Sequence, residues 1–298
     1  MFFFLITVFY VDAQSIQPTD TSLRKSHKVR INESLFFEEK PGLLLHLSKI
    51  PNDLYSLARS PFQKNNWIVL GGISAATAVM VNNDRLITEW VMKASTKAGL
   101  EANTRYKDIV KFGKTRILKI PLNLNTALYQ IGEGGTTMML ASGLWIAGKI
   151  KHNPRDIQTA YDLTETFVSS GIVTQVFKRI SGRESPFKAT VSGGRWRPFP
   201  SFSTYQNNTS SYDAFPSGHL TTLTATFTVL HYNYPEKKWI APLGAALLAM
   251  SSWAMINTEV HWISDYPLAV ACGYITGKAA AMRHRVKNTT KHINPVKL

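Results

Sequence analysis

A chain of 298 residues with 34 Lys and Arg against 19 Asp and Glu carries a formal net charge of +15. A balance that basic points to a phosphate-bearing partner, whether nucleic acid, anionic lipid or a phosphorylated substrate. Hydrophobic residues at 44% and charged residues at only 18% argue against intrinsic disorder and for buried or membrane-facing helices, while the single cysteine, Cys272, excludes an intrachain disulfide, a cysteine-based zinc site and a CxxC redox motif.

In chain order, Met1 to Val11 is an apolar run of signal-peptide length, and residues 1–14 read as a signal or anchor segment. Residues 15–65 form a mixed polar leader. The uncharged run from Trp67 to Val81 reads as an apolar helix near the lower length for a membrane span, with small residues that favour close packing. Residues 84–133 are charged and amphipathic and read as shorter surface helices, followed by a second apolar segment at 136–149. Helices are expected at about 156–178, 217–232, 239–257 and 264–283, the last with Pro267 tolerated in its first turn. Between the first two lies a long loop, Ser181 to Phe215, rich in Gly, Pro, Ser and aromatics, and loops of that length in a compact domain are usually functional or disordered. Residues 286–298 are a basic tail. No sustained strand period competes, so the fold class is all-α: a bundle over residues 66–285 with about five to six core helices. The composition is compatible with a membrane-embedded form, although the mean hydropathy of −0.09 keeps a soluble form open.

If the last four helices run antiparallel, one face of the bundle collects the end of 156–178, the start of 217–232, the end of 239–257 and the start of 264–283. Those ends carry Lys178, Pro216-Ser217-Gly218-His219, and His261 with Asp265. Free N–H groups and the positive dipole end of a helix opened by Ser217 and Gly218 suit an anion. Asp265, four residues beyond His261, can accept a hydrogen bond from one imidazole nitrogen and leave the other free as a nucleophile. His219 is placed to act as general acid and base, and Lys178 to neutralise phosphate charge.

These residues resemble the phosphatidic acid phosphatase type 2 (PAP2) family, whose signature is a Lys six residues ahead of Arg-Pro, then Pro-Ser-Gly-His, then Ser-Arg followed by His and Asp. The resemblance spans roughly residues 134–283 and implies a PAP2-like core and a phosphohistidine mechanism. His261 would attack phosphorus, Asp265 would orient it and His219 would serve the leaving group. Neither metal nor cofactor is implied. The implied substrate is a phosphomonoester or diphosphate, with a lipid phosphate the expected class, and the alternative is a phosphate- or phospholipid-binding protein on the same scaffold that has lost catalysis.

Two positions depart from the signature: Ser185-Pro186 stands where the family has Arg-Pro, and Ala254-Met255 where it has Ser-Arg. Arg183, Arg195 and Arg197 in the long loop are the candidates to refill the phosphate site, Arg195 or Arg197 above all. The basic stretches around Lys149 to Arg155, at Lys237-Lys238 and after Arg283 fall on the opposite face. The positive-inside tendency then turns the site away from the cytoplasm. The expected location is a bacterial cell envelope, either an inner membrane with a periplasm-facing site or the periplasm itself. Nucleic acid is not an expected partner, because no recognisable binding module accompanies the charge. Membrane association is expected, and the sequence is silent on oligomeric state.

Overall fold

A computed structural model describes residues 27–31, 34–38, 42–59, 66–113 and 115–283. The expected signal or anchor segment and the basic tail lie outside these residues. The first described element is an antiparallel hairpin, β1 (His27–Ile31) and β2 (Ser34–Glu38), followed by α1 (Leu43–Arg59), α2 (Asn66–Val81) and α3 (Asp84–Lys97). A second antiparallel hairpin, β3 (Tyr106–Phe112) and β4 (Thr115–Pro121), leads to α4 (Leu124–Ile131), α5 (Gly134–Ile150) and α6 (Pro154–Ser181). The long loop holds a short helix, α7 (Phe202–Asn207), single 3-10 turns and isolated bridges from Arg183 to Trp196 and to Asp213. The bundle closes with α8 (Gly218–Asn233), α9 (Ile240–Asn257) and α10 (Tyr266–Arg283).

The all-α class stands, with every expected helix from residue 66 to 81 and from 134 onward in place. Residues 106–121 differ: they form a hairpin, where the sequence suggested surface helices. Charged residues alternate irregularly along both strands, and a bulge interrupts the register between Asp108 and Lys111, so no clean two-residue period is left to see. Gly113, at φ 58, supplies the turn. The leader also contains an ordered element, α1, whose His46 is fully buried against α6.

Local signals explain the helix limits near the site. Asn153 caps α6 by accepting from the Arg155 N–H, with Pro154 in the first turn, and α6 stops at Gly182, a left-handed C-cap at φ 55. Helices α8 and α10 pack with their backbones in near contact. A Cβ on Gly273 would lie 2.3 Å from the Thr221 carbonyl oxygen, and one on Gly277 2.6 Å from that of Ala225. The core around this contact includes Leu220, Leu223, Leu248, Met255, Ile263 and Val270, each large aliphatic side chain stabilising the fold by about 1.5–3 kcal/mol when buried.

Apolar residues also cover much of the outer surface: Trp67 and Ile68 on α2, Met139 and Ile150 on α5, and Ile172, Val176 and Ile180 on α6 are all exposed. Among the described residues α9 is the helix long and apolar enough to cross a membrane, and 56% of that stretch is buried inside the bundle. Helix α2 is apolar but shorter.

Candidate active site

The expected face forms. Ser217 sits at the N-cap of α8, where its Oγ accepts from the Leu220 N–H, and its own N–H donates to the Asp265 carbonyl at 3.1 Å. The start of α8 is thereby tied to the turn that opens α10. Gly218 presents backbone where a Cβ would lie 3.8 Å from Lys178 Nζ. Lys178, in the last turn of α6, is nearly buried and pairs with Asp213 Oδ2 at 3.4 Å. An anion at the α8 N-terminus would therefore meet free N–H groups from one side and an ammonium from the other.

His261 is 3% exposed, and its Nδ1 lies 2.8 Å from the Ala214 carbonyl oxygen and 3.4 Å from Asp265 Oδ2. A carbonyl only accepts, so Nδ1 carries the proton and Nε2 keeps its lone pair. The sequence assigned that orienting hydrogen bond to Asp265, whereas the structure gives it to the backbone of the loop before Pro216. Asp265 is held elsewhere, accepting from the Trp262 N–H at 2.8 Å through Oδ2 and from Arg183 at 2.5 Å through Oδ1.

His219 faces His261 with ring centroids 6.1 Å apart and packs on Tyr129 at 4.6 Å. Its Nε2 is buried and has no hydrogen-bond partner among the described residues. Burial, reinforced by His261, Lys178 and Lys119, pushes the imidazole down to about 3, so the ring is neutral near pH 7 and its unpartnered nitrogen is left for a ligand.

The loop arginines take other positions. Arg183 is fully buried, and its guanidinium donates to Asp265, Ser264, Asp84 and the Gly193 carbonyl between the rings of Trp196 and Trp262. With its donors engaged there it stands behind Asp265 and is not directed at the α8 N-terminus, where the sequence placed it as a phosphate ligand. Arg197 pairs with Glu184 at 2.6 Å. Arg195 binds Glu184 through its backbone N–H while its side chain is exposed. Burial alone would raise the Glu184 carboxyl, but the N–H groups of Thr190 and Arg195 together with Arg197 hold it below its ordinary value. Among the described residues neither guanidinium makes a hydrogen bond or ring contact with His219 or His261. Met255 is fully buried with its sulfur 3.6 Å from Ser217 Oγ, so position 255 does abut the α8 N-terminus. Ser185 is buried too, and its backbone carbonyl accepts from Lys188.

Several residues of the site escaped sequence reasoning. Asp84, at the start of α3, accepts from Arg183 at 2.5 Å and from the Ser264 N–H and hydroxyl. Tyr129 covers His219, and Lys119 of β4 pairs at 2.7 Å with Glu133, which also accepts from Tyr106. Asp84 alone carried a local hint, as an acidic residue in a first helical turn. Its partner Ser264 lies 180 residues away.

Residues 159–288 match the family model described as the PAP2 superfamily. No curated protein and no solved structure matches the chain.

Proposed function

We propose that this chain, which belongs to the PAP2 superfamily through residues 159–288, is a phosphohydrolase that cleaves a phosphomonoester or diphosphate through a phosphohistidine. The observation that carries the proposal is the facing pair of imidazoles beside the α8 N-terminus, with His261 fixed as the Nδ1–H tautomer by the Ala214 carbonyl. His261 Nε2 attacks phosphorus while the bond to the leaving oxygen breaks, and that oxygen takes a proton from His219. Water then attacks the phosphohistidine, His219 accepts its proton, and inorganic phosphate departs with His261 restored. Because His219 is neutral in the free protein, the first proton arrives with the substrate, whose negative charge also favours the imidazolium. Lys178 and the α8 N–H groups neutralise the charge that spreads over the phosphoryl oxygens.

A lipid phosphate is the substrate class favoured by the outer surface. Ile172, Val176 and Ile180 are exposed along one stripe of α6, spaced four residues apart, and the helix ends beside Lys178. Such an apolar track suits an acyl or prenyl chain whose phosphate enters the site. The apolar surfaces of α2 and α5 support membrane association, and Lys149, Lys151 and Arg155 at the far end of the bundle support a site facing away from the cytoplasm, in a bacterial inner membrane. A periplasmic form without spans is the other location the sequence admits.

Met255 and Ser185, standing where the resemblance expects arginines, favour a second reading: a protein that binds phosphate or phospholipid without turnover. Phosphate release from a panel of lipid phosphates and diphosphates, comparing wild type with His261→Ala, separates the two. Turnover abolished by the substitution supports the hydrolase. Saturable binding of vanadate or phosphate by a folded wild type without turnover supports the binding protein.

A further inference from the structure

On the far side of the bundle from the phosphate site, three side chains from two helices converge in a second polar cluster. One ligand-type atom from each of His46, Asp162 and Glu165 lies within 4.8 Å of the others, and all three residues are buried. Asp162 lies sixteen residues before Lys178 on α6, a separation of about 24 Å along a helix.

Each of the three is held from outside in the manner of a metal ligand. His46 Nδ1 lies 2.8 Å from the Gly42 carbonyl oxygen, which fixes the Nδ1–H tautomer and turns the Nε2 lone pair inward. Asp162 Oδ2 accepts from Asn233 at 2.7 Å, and Oδ1 faces the cluster. Glu165 accepts from Arg283 through Oε1, whereas Oε2, fully buried, has no hydrogen-bond partner among the described residues. A fourth group completes the set. The Gln158 amide nitrogen bridges His46 Nε2 at 2.6 Å and Asp162 Oδ1 at 2.9 Å, and its own carbonyl oxygen is buried without a partner among the described residues. Two buried oxygens without donors among the described residues, beside an imidazole whose Nε2 lone pair is turned inward to the Gln158 amide, are an arrangement that a cation can satisfy.

We propose that His46, Asp162 and Glu165 bind a divalent first-row metal ion, with zinc the best match to one imidazole and two carboxylates. Rotation of the Gln158 amide would offer its oxygen as a fourth ligand. Two carboxylates balance the charge of the ion, and Gly42, Asn233 and Arg283 are the outer partners that orient the ligands. The ion would pin α1 to α6, and through Asn233 and Arg283 to α8 and α10, so its role is to fasten the leader helix to the bundle. None of these residues takes part in the phosphate chemistry proposed above.

The test uses the untagged full chain, stripped with a chelator, freed of it, and titrated with Zn2+ while bound metal and the thermal unfolding midpoint are followed. The expected result is about one zinc per chain with a raised midpoint, and binding weakened at least tenfold in both His46→Leu and Glu165→Gln. Should either variant fail to fold, Asn233→Ala, which leaves every ligand in place, decides by a loss of about tenfold or more in affinity. No zinc uptake by the wild type at micromolar free metal, or unchanged affinity in the folded variants, overturns the proposal.

Discussion

Arg183 and Asp265 form a fully buried ion pair, with Nη1 2.5 Å from Oδ1, on the opposite edge of the carboxylate from the Oδ2 that lies 3.4 Å from His261. The same guanidinium reaches Asp84 at 2.5 Å. One side chain from the long loop thus binds the first turn of α3 to the turn that carries the proposed nucleophile's neighbour. A buried arginine between two carboxylates has its desolvation offset only while both partners stay.

Replacing Arg183 with Met leaves Asp84 and Asp265 buried without their cation. The expected cost is about 3–5 kcal/mol, read from denaturant unfolding. The double variant with Asp84→Asn should recover part of that loss, because one of the two orphaned charges is then gone.

Asp265→Asn separates tautomer control from charge. In a triad whose carboxylate alone fixes the imidazole, this change costs about 10⁴ in kcat. Here the Ala214 carbonyl holds Nδ1–H at 2.8 Å, so the expected loss is smaller, about 10²-fold in kcat with little change in KM. Steady-state kinetics on the best phosphate ester checks it, and a loss as large as that of His261→Ala would show that Ala214 does not suffice.

Met255→Arg is expected to strengthen phosphate binding. Position 255 touches Ser217 at the start of α8, so a guanidinium there can add a charged hydrogen bond worth about 1.5–3 kcal/mol, or roughly tenfold or more in the dissociation constant of phosphate or vanadate. The larger side chain overpacks a buried site, and a stability loss of about 1–3 kcal/mol should accompany the gain.

His219 sets a pH dependence with a definite sign. Its folded value of about 3 lies below the 6.5 of an unfolded chain, so between these values the unfolded state binds a proton that the folded state does not. Its contribution to stability is fully present above pH 6.5 and is lost as the pH falls from 6.5 towards 3. Denaturant midpoints measured across that window should fall more steeply for wild type than for His219→Asn. Ring proton shifts of His219 should stay flat from pH 8 to 5 in the free protein and begin to titrate in that range when phosphate is bound.

The site was legible where its chemistry is local. Pro216 to His219 opens a helix and His261 and Asp265 share one turn, so their spacing and the resemblance to the family signature exposed them, and helix lengths carried Lys178 to the same face. What stayed hidden depends on distant contacts. Asp84 meets Ser264 and Arg183 only through the tertiary fold, and Ala214 orients His261 through a backbone carbonyl that any residue would supply. Arg183 shows the limit most sharply: a loop arginine beside the motif suggests a phosphate ligand by sequence, but its burial between Asp84 and Asp265 gives it a different task. The β3–β4 hairpin was missed because a bulge and irregularly placed charges leave neither strand a clean two-residue period.

The central claim is that His261 is the nucleophile, and the most direct measurement is to mix the protein with a substrate radiolabelled in its phosphoryl group, quench within one turnover and map the protein-bound label. The account predicts an acid-labile, base-stable phosphohistidine at residue 261, absent in His261→Ala and formed more slowly in Lys178→Ala. Turnover by the wild type with no label on His261, or with label that survives in His261→Ala, would contradict it.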